Sequence, residues 1–218
     1  MGAKVKGAGT NEIRIEGVKR LKDISYNIMP DRIEAGTFLC LAATTGGNIE
    51  LECVKPKHLT PIITKLEETG CKLEIEKNEI KLLAPKKLKA IDIKTMPYPG
   101  FPTDMQSVFG AMLTTAKGTS IIVENIFENR YKYMQELNKM GAKITIEGKS
   151  AIIRGVKKLY GATVKATDLR GGVALVLAGM SAKGITVVEN IEYILRGYEQ
   201  LDKKIQSLGG NIEISKSM

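Results

Sequence analysis

The chain has 218 residues, 43% of them hydrophobic and 26% charged, with a formal charge of +9. That balance suits a globular protein with a real core, and no apolar run approaches the roughly 20 residues that cross a bilayer, so a cytoplasmic protein with no membrane partner is expected. The lysines are scattered, there is no tryptophan, and no helix carries a dense basic stripe, which disfavours a nucleic-acid partner while leaving a phosphorylated small molecule open.

In chain order, Met1-Gly-Ala-Lys-Val5 and Glu12-Ile-Arg-Ile-Glu16 read as the strands of a hairpin, apolar and polar residues alternating. Pro30-Asp31-Arg32-Ile33-Glu34 then opens an apolar run of helical spacing, with the Asp31 carboxylate where unpaired amides and the positive helix end favour it. Cys40, Cys53 and Cys71 lack metal-ligand spacing and cannot all pair; they are expected reduced and buried within helix or strand, with no metal site and no cofactor. His58, after Lys55-Pro56, reads as an exposed turn residue ahead of a helix.

Tyr98-Pro-Gly-Phe-Pro-Thr-Asp-Met-Gln106 forces an extended approach and releases it into a second helix, with Thr103 and Gln106 expected to form a capping box around Asp104. Ala166-Thr-Asp168-Leu-Arg170 opens a third, which Gly171-Gly172 should weaken by up to ~1 kcal/mol per glycine and so loosen the placement of Asp168 and Arg170. Arg196 is expected to start a helix continuing through Tyr198, Leu201 and Ile205, where a cation is disfavoured by ~0.3 to 1 kcal/mol and a purely structural role is therefore weak. Three helices with aspartates at matched starts suggest N-termini that converge on an anionic ligand.

Self-similarity organises the whole. Glu68-Thr-Gly-Cys-Lys-Leu-Glu-Ile-Glu76, Lys139-Met-Gly-Ala-Lys-Ile-Thr-Ile-Glu147 and Ser207-Leu-Gly-Gly-Asn-Ile-Glu-Ile-Ser215 recur with Gly70, Gly141 and Gly209 spaced 71 and then 68 residues apart. Each glycine ends an amphipathic helix ahead of a strand. The predicted unit is βαβαββ, over about 24–85, 90–158 and 162–218, in an α/β domain spanning 23–218. Met1-Gly-Ala-Lys-Val5 matches Met140-Gly-Ala-Lys-Ile144, so residues 1–22 read as a terminal hairpin left from another domain, and the chain as partial. The third unit ends one strand short. Its open edge is expected to take Glu12-Ile-Arg-Ile-Glu16, either from the same chain or from a neighbour in a strand-exchanged dimer, a frayed N-terminus being the competing outcome.

With these motifs in place, the sequence resembles the C-terminal half of the UDP-N-acetylglucosamine 1-carboxyvinyltransferase family of enolpyruvyl transferases. The resemblance rests on Pro30-Asp-Arg-Ile-Glu-Ala-Gly-Thr-Phe38, Phe101-Pro-Thr-Asp-Met-Gln106, Ile126-Phe-Glu-Asn-Arg130, Ala166-Thr-Asp-Leu-Arg170 and Arg196-Gly-Tyr-Glu199, and covers the whole chain. It implies a domain of three repeats around a pseudo-threefold axis, an inside-out barrel, facing an N-terminal domain across a cleft. The other domain would carry the family's mobile loop with its reactive cysteine, for which Cys40, Cys53 and Cys71 do not substitute. The implied partners are UDP-N-acetylglucosamine, phosphoenolpyruvate and that domain, in peptidoglycan precursor synthesis. The implied roles are Asp104 as base toward the sugar hydroxyl, Arg196 as clamp on phosphoenolpyruvate, Asp168 and Arg170 on the same side, Asp31 and Arg32 in support, and Phe127 beside Arg130 against the nucleotide sugar. Read without the resemblance, the same residues also fit a stand-alone binding module for an anionic metabolite or nucleotide sugar.

Overall fold

A computed structural model describes residues 1–10 and 12–215. Strands β1 (Lys4–Lys6) and β2 (Arg14–Glu16) pair antiparallel, Lys4 opposite Glu16, in a two-stranded sheet of their own. Every described residue from 1 to 29 is exposed, so the hairpin does not fill the third unit of its own chain, one of the outcomes expected for it. Nor does a strand form after Ile24; the segment runs unpaired with Ile28 90% exposed.

The first unit holds α1 (Arg32–Thr45), β3 (Asn48–Leu51), a 3-10 turn at Pro56–His58, α2 (Thr60–Glu68), β4 (Lys72–Ile75) and β5 (Ile80–Leu83). The second holds β6 (Ile93–Lys94), a 3-10 turn at Thr103–Met105, α3 (Gln106–Leu113), β7 (Thr119–Val123), α4 (Lys132–Lys139), β8 (Lys143–Glu147) and β9 (Ser150–Arg154). The third holds β10 (Thr163–Lys165), α5 (Leu169–Ser181), β11 (Val187–Glu189), α6 (Glu192–Leu195) and α7 (Leu201–Ser207).

Among the described residues only the middle unit shows the full sheet, ordered β6-β7-β9-β8, with β7 parallel to β6 and antiparallel to β9. The first is β3-β5-β4, without the parallel neighbour that β6 gives β7; the third is β10-β11, a parallel pair. Residues 211–215, counterparts of β8, are in no strand. The reason is visible in the sister units: β4 and β8 pair only with the return strands β5 and β9, and no return strand follows residue 215 among the described residues. Positions 216–218, assigned above to the third unit, lie outside the described residues.

Helices α1, α3 and α5 touch one another and form the inner layer. All eight residues of α3 are buried, as are Ile33, Ala35 to Cys40, Ala42 and Ala43 of α1 and Gly171 to Leu175, Leu177 and Ala178 of α5. Helices this apolar all round belong inside, and they lack a single polar face. Helices α2, α4 and α7 bury one face each, through Ile62, Ile63 and Leu66, through Tyr133, Met134 and Leu137, and through Leu201 and Ile205. Among the described residues no helix is long and apolar enough to cross a membrane.

Glycine sets how closely the inner helices approach. A Cβ on Gly172 would stand 2.7 Å from Ile194 Cγ1 and 2.9 Å from Ala166 Cβ, and one on Gly110 would overlap the Tyr133 hydroxyl. Gly172 is thus a packing requirement, and Asp168 caps the start of α5 by accepting from two backbone amides. Gly110→Ala should lower stability by ~1 to 3 kcal/mol, the usual cost of overpacking. Tyr133→Phe should not: its hydroxyl is buried without a partner, so removing it is neutral or stabilising, and it should recover part of the Gly110→Ala loss in a double-variant melting series.

Two cysteines, Cys40 and Cys71, are buried and burial pushes both thiols up. Cys53 departs from expectation. It is exposed, in a bend with φ 57 after β3. His58 closes the 3-10 turn ahead of α2 and is half-buried.

Candidate active site

The two flanking aspartates do what helix chemistry asks of them. Asp31 Oδ1 accepts from the amides of Ile33 (2.7 Å) and Glu34 (3.3 Å), and Asp168 Oδ1 from those of Arg170 (3.0 Å) and Gly171 (2.8 Å). Asp104 does not cap. It sits within the 3-10 turn before α3, and the expected capping box is absent: Thr103 donates its hydroxyl to Glu124 Oε2 at 2.9 Å, while the Gln106 side chain is buried with no hydrogen-bond partner. The short turn draws the chain away from cap geometry and turns the Asp104 carboxylate toward cations.

Arg130 Nη2 donates to Asp104 Oδ1 at 2.9 Å, and Arg170 Nε lies 3.7 Å from the same oxygen. Both arginines are largely buried, at 15% and 16% side-chain exposure, against 39% for Asp104. Since both cations address Oδ1, Oδ2 is left for a third donor. Each guanidinium also rests over an aromatic ring, Arg130 4.9 Å from the Phe127 centroid and Arg170 5.8 Å from that of Tyr198, contacts that favour arginine over lysine. Phe127 is 52% exposed, a ring edge offered to solvent with a cation behind it.

The three inner helices are tied together at this end. Thr37, in the second turn of α1, shares a 2.8 Å hydrogen bond with the Tyr198 hydroxyl, which accepts from Arg170 Nη1 at 3.4 Å; Ser107 of α3 donates to the Arg170 carbonyl at 2.8 Å. Tyr198 is 1% exposed, and burial raises its pKa, so it stays a neutral phenol. This chain of contacts runs from α1 to α5 to the start of α3, so the N-terminal ends of all three face one place. Asp31 and Asp168 already occupy amides at two of these helix ends, so the donors left to meet an anion are the Arg130 and Arg170 guanidinium groups.

Glu124 was missed in the sequence because nothing marks it beyond a place at a strand end. It is 1% exposed and accepts from Thr95 Oγ1, Thr103 Oγ1 and the amides of Ile126 and Phe127, all between 2.8 and 3.1 Å. One buried carboxylate therefore fixes both the turn that carries Asp104 and the loop that carries Phe127 and Arg130. Tyr131 closes the same loop, donating to the carbonyls of Ile122 and Lys149, with burial pushing its pKa up to about 12.

Arg196 stands apart. Instead of opening a helix it follows α6 as its C-cap, and the chain breaks at Gln200, φ 48, before α7 begins. A cation is favoured at a helix C-terminus, which removes the argument from helix polarity for a functional role. Gly197 lets the chain pass close to Leu169, from which a Cβ there would lie 2.9 Å. Arg196 and Arg32 are exposed and form no ion pair among the described residues. Asp31 and Arg32 border a shallow depression with Lys55 and His58, without direct contact to Asp104.

A sequence profile described as EPSP synthase (3-phosphoshikimate 1-carboxyvinyltransferase) matches residues 1–205. The chain belongs to the enolpyruvyl transferase family. Within that family it is 55% identical over 97% of its length to UDP-N-acetylglucosamine 1-carboxyvinyltransferase 1 of Caldanaerobacter subterraneus subsp. tengcongensis, covering 51% of that protein. It is 54% identical over 97% of its length to UDP-N-acetylglucosamine 1-carboxyvinyltransferase of Desulfofundulus thermocisternus, covering 88% of it. Among solved enolpyruvyl transferases, NikO from Streptomyces tendae superposes with a TM-score of 0.84 at 23% identity, over 96% of this chain and 50% of that one. EPSP synthase from Acinetobacter baumannii gives 0.78 at 22%, over 99% and 54%. These two share the enolpyruvyl transferase fold. The chain spans about half the length of the first of the curated relatives and of both solved structures.

Proposed function

We propose that the chain forms one side of the active site of an enzyme that moves the enolpyruvyl group of phosphoenolpyruvate to the 3-hydroxyl of UDP-N-acetylglucosamine. The reading rests above all on Asp104, an aspartate that caps nothing and stands between two buried arginines where three helix N-termini meet. Identity of 55% to a relative named for this sugar, against 22% to EPSP synthase, favours UDP-N-acetylglucosamine over a shikimate substrate.

In this reaction the sugar hydroxyl adds to C2 of the enol while C3 gains a proton; loss of that proton and of phosphate then restores the double bond. Asp104, through the Oδ2 that neither arginine addresses, takes the hydroxyl proton as general base. Arg130 and Arg170 orient the carboxylate and offer fork-shaped donors to the anionic substrate. Phe127 packs against the nucleotide sugar beside Arg130, and Asp168, Asp31 and Arg32 frame the surrounding helix starts. Arg196, on an exposed corner, closes on phosphoenolpyruvate from the rim. The proton donor to C3 and the rest of the phosphate clamp belong to the complementary half, so this chain by itself binds weakly and does not turn over. It works in the cytoplasm, where both substrates are found.

Thermal melting with added ligands tests the assignment. UDP-N-acetylglucosamine, alone or with phosphoenolpyruvate, should raise the midpoint, and Asp104→Ala should reduce that rise. A melting curve unmoved by either substrate but raised by duplex DNA would make the chain a basic nucleic-acid protein instead.

A further inference from the structure

Glu124 stands just past the end of β7, its own amide donating to the Lys149 carbonyl at 2.9 Å. Its two carboxylate oxygens serve different segments. Oε1 accepts from Thr95 Oγ1 and the amide of Ile126, each at 2.8 Å, and from the amide of Phe127 at 3.1 Å. Among the described residues Oε2 accepts only from Thr103 Oγ1, at 2.9 Å. Thr103 directly precedes Asp104 in the 3-10 turn, and the chain runs on from Phe127 to Arg130, which donates to Asp104 Oδ1. The contacts close a ring: from Glu124 through Thr103 to Asp104, across to Arg130, and back along the chain to the two amides that Glu124 holds.

We infer, resting on the function proposed above, that Glu124 is a positioning residue with two arms. The Oε2 arm sets where the Asp104 carboxylate stands, and the Oε1 arm sets where Phe127 and Arg130 meet the nucleotide sugar. Asp31 and Asp168 are fixed by their own capping bonds. Asp104 makes none, and its side chain is 39% exposed, so packing does little to hold it and its turn needs an anchor from outside. Thr103 on Glu124 is that anchor. Burying a carboxylate is unfavourable unless it is hydrogen-bonded, and here four donors offset the penalty.

The chemistry makes the arms separable. Three donors crowd Oε1, which suits an oxygen that only accepts and would repel an amide nitrogen. A glutamine therefore keeps its carbonyl oxygen on that side and turns its NH2 to Thr103, whose hydroxyl can reverse and accept. Valine at position 103 keeps the shape of the half-buried threonine but takes away the donor, cutting the Oε2 arm and leaving the other intact.

Steady-state kinetics with phosphoenolpyruvate and UDP-N-acetylglucosamine, in the enzyme completed by its other half, tests this together with hydrogen exchange at amides 126 and 127. Thr103→Val should lower kcat by about tenfold or more, toward the roughly 100-fold that misplacing a group by an ångström can cause, while KM for the nucleotide sugar stays within about twofold. Thr103→Ser, which keeps the hydroxyl, should restore kcat. Glu124→Ala should lower kcat and raise that KM together, with amides 126 and 127 exchanging faster, whereas Glu124→Gln should keep kcat within about tenfold of the unaltered enzyme. If Glu124→Ala does not fold by circular dichroism, the Thr103 pair and Glu124→Gln decide. Unchanged kcat in Thr103→Val, or kcat and KM worsening together with Thr103→Ser no better, overturns the inference, as does a folded Glu124→Gln enzyme that falls further. No turnover by the unaltered, completed enzyme would instead overturn the proposed function and this role with it; turnover indifferent to these substitutions overturns the role alone.

Discussion

Asp104→Asn, in the enzyme completed by its other half, should lower turnover by ~100 to 10,000-fold, the range over which a positioned general base contributes. Asparagine keeps the shape and one acceptor oxygen, so Arg130 at 2.9 Å retains a hydrogen bond, and the affinity for UDP-N-acetylglucosamine should change far less than kcat. The split matters because Asp104 has no capping duty to lose: neither the turn nor α3 takes a side-chain cap from it. A fall in kcat of less than about tenfold would make Asp104 a positioning residue whose main work is to orient Arg130 and Arg170.

Arg170→Lys should be the second large effect, with kcat/KM reduced by ~100-fold or more, comparable to loss of one preorganised donor to developing charge. A lysine can preserve the charge near Asp104 but not the flat group that rests over Tyr198 while turning Nε toward the carboxylate. Tyr198→Phe serves as the comparison. It keeps the ring and removes the hydroxyl that bridges Thr37 and Arg170, so it should cost less in kcat/KM than Arg170→Lys. Equal losses would mean that the Tyr198 hydroxyl, not the guanidinium, sets the geometry.

Much of this architecture was legible in the sequence because the repeat imposes itself on turn chemistry. Gly70, Gly141 and Gly209 all take positive φ, as a glycine ending each helix demands, and the expected βαβαββ order appears in full in the middle unit. The failures share a physical origin. A strand exists only with a partner, so segments around 24–29 and 211–215, strand-like in pattern, stay unpaired where no neighbour lies along their edges. The single helix expected from Arg196 onward is interrupted, α6 ending before Arg196 and Gln200 taking a φ of 48 ahead of α7, a change without local signature. The same holds at the site. Asp31 and Asp168 were readable as helix starts, whereas the different work of Asp104 depends on Arg130, 26 residues on, and on Glu124, whose four hydrogen bonds converge from three separate segments.

The most direct measurement of the central claim is release of inorganic phosphate from phosphoenolpyruvate, followed while this chain is mixed with the complementary half of an enolpyruvyl transferase from a relative such as that of Caldanaerobacter subterraneus subsp. tengcongensis. The account predicts no release from either piece alone, release on mixing that requires UDP-N-acetylglucosamine, and its loss when this chain carries Asp104→Asn. Release by the 218-residue chain on its own, or release on mixing that proceeds without the nucleotide sugar, would contradict it.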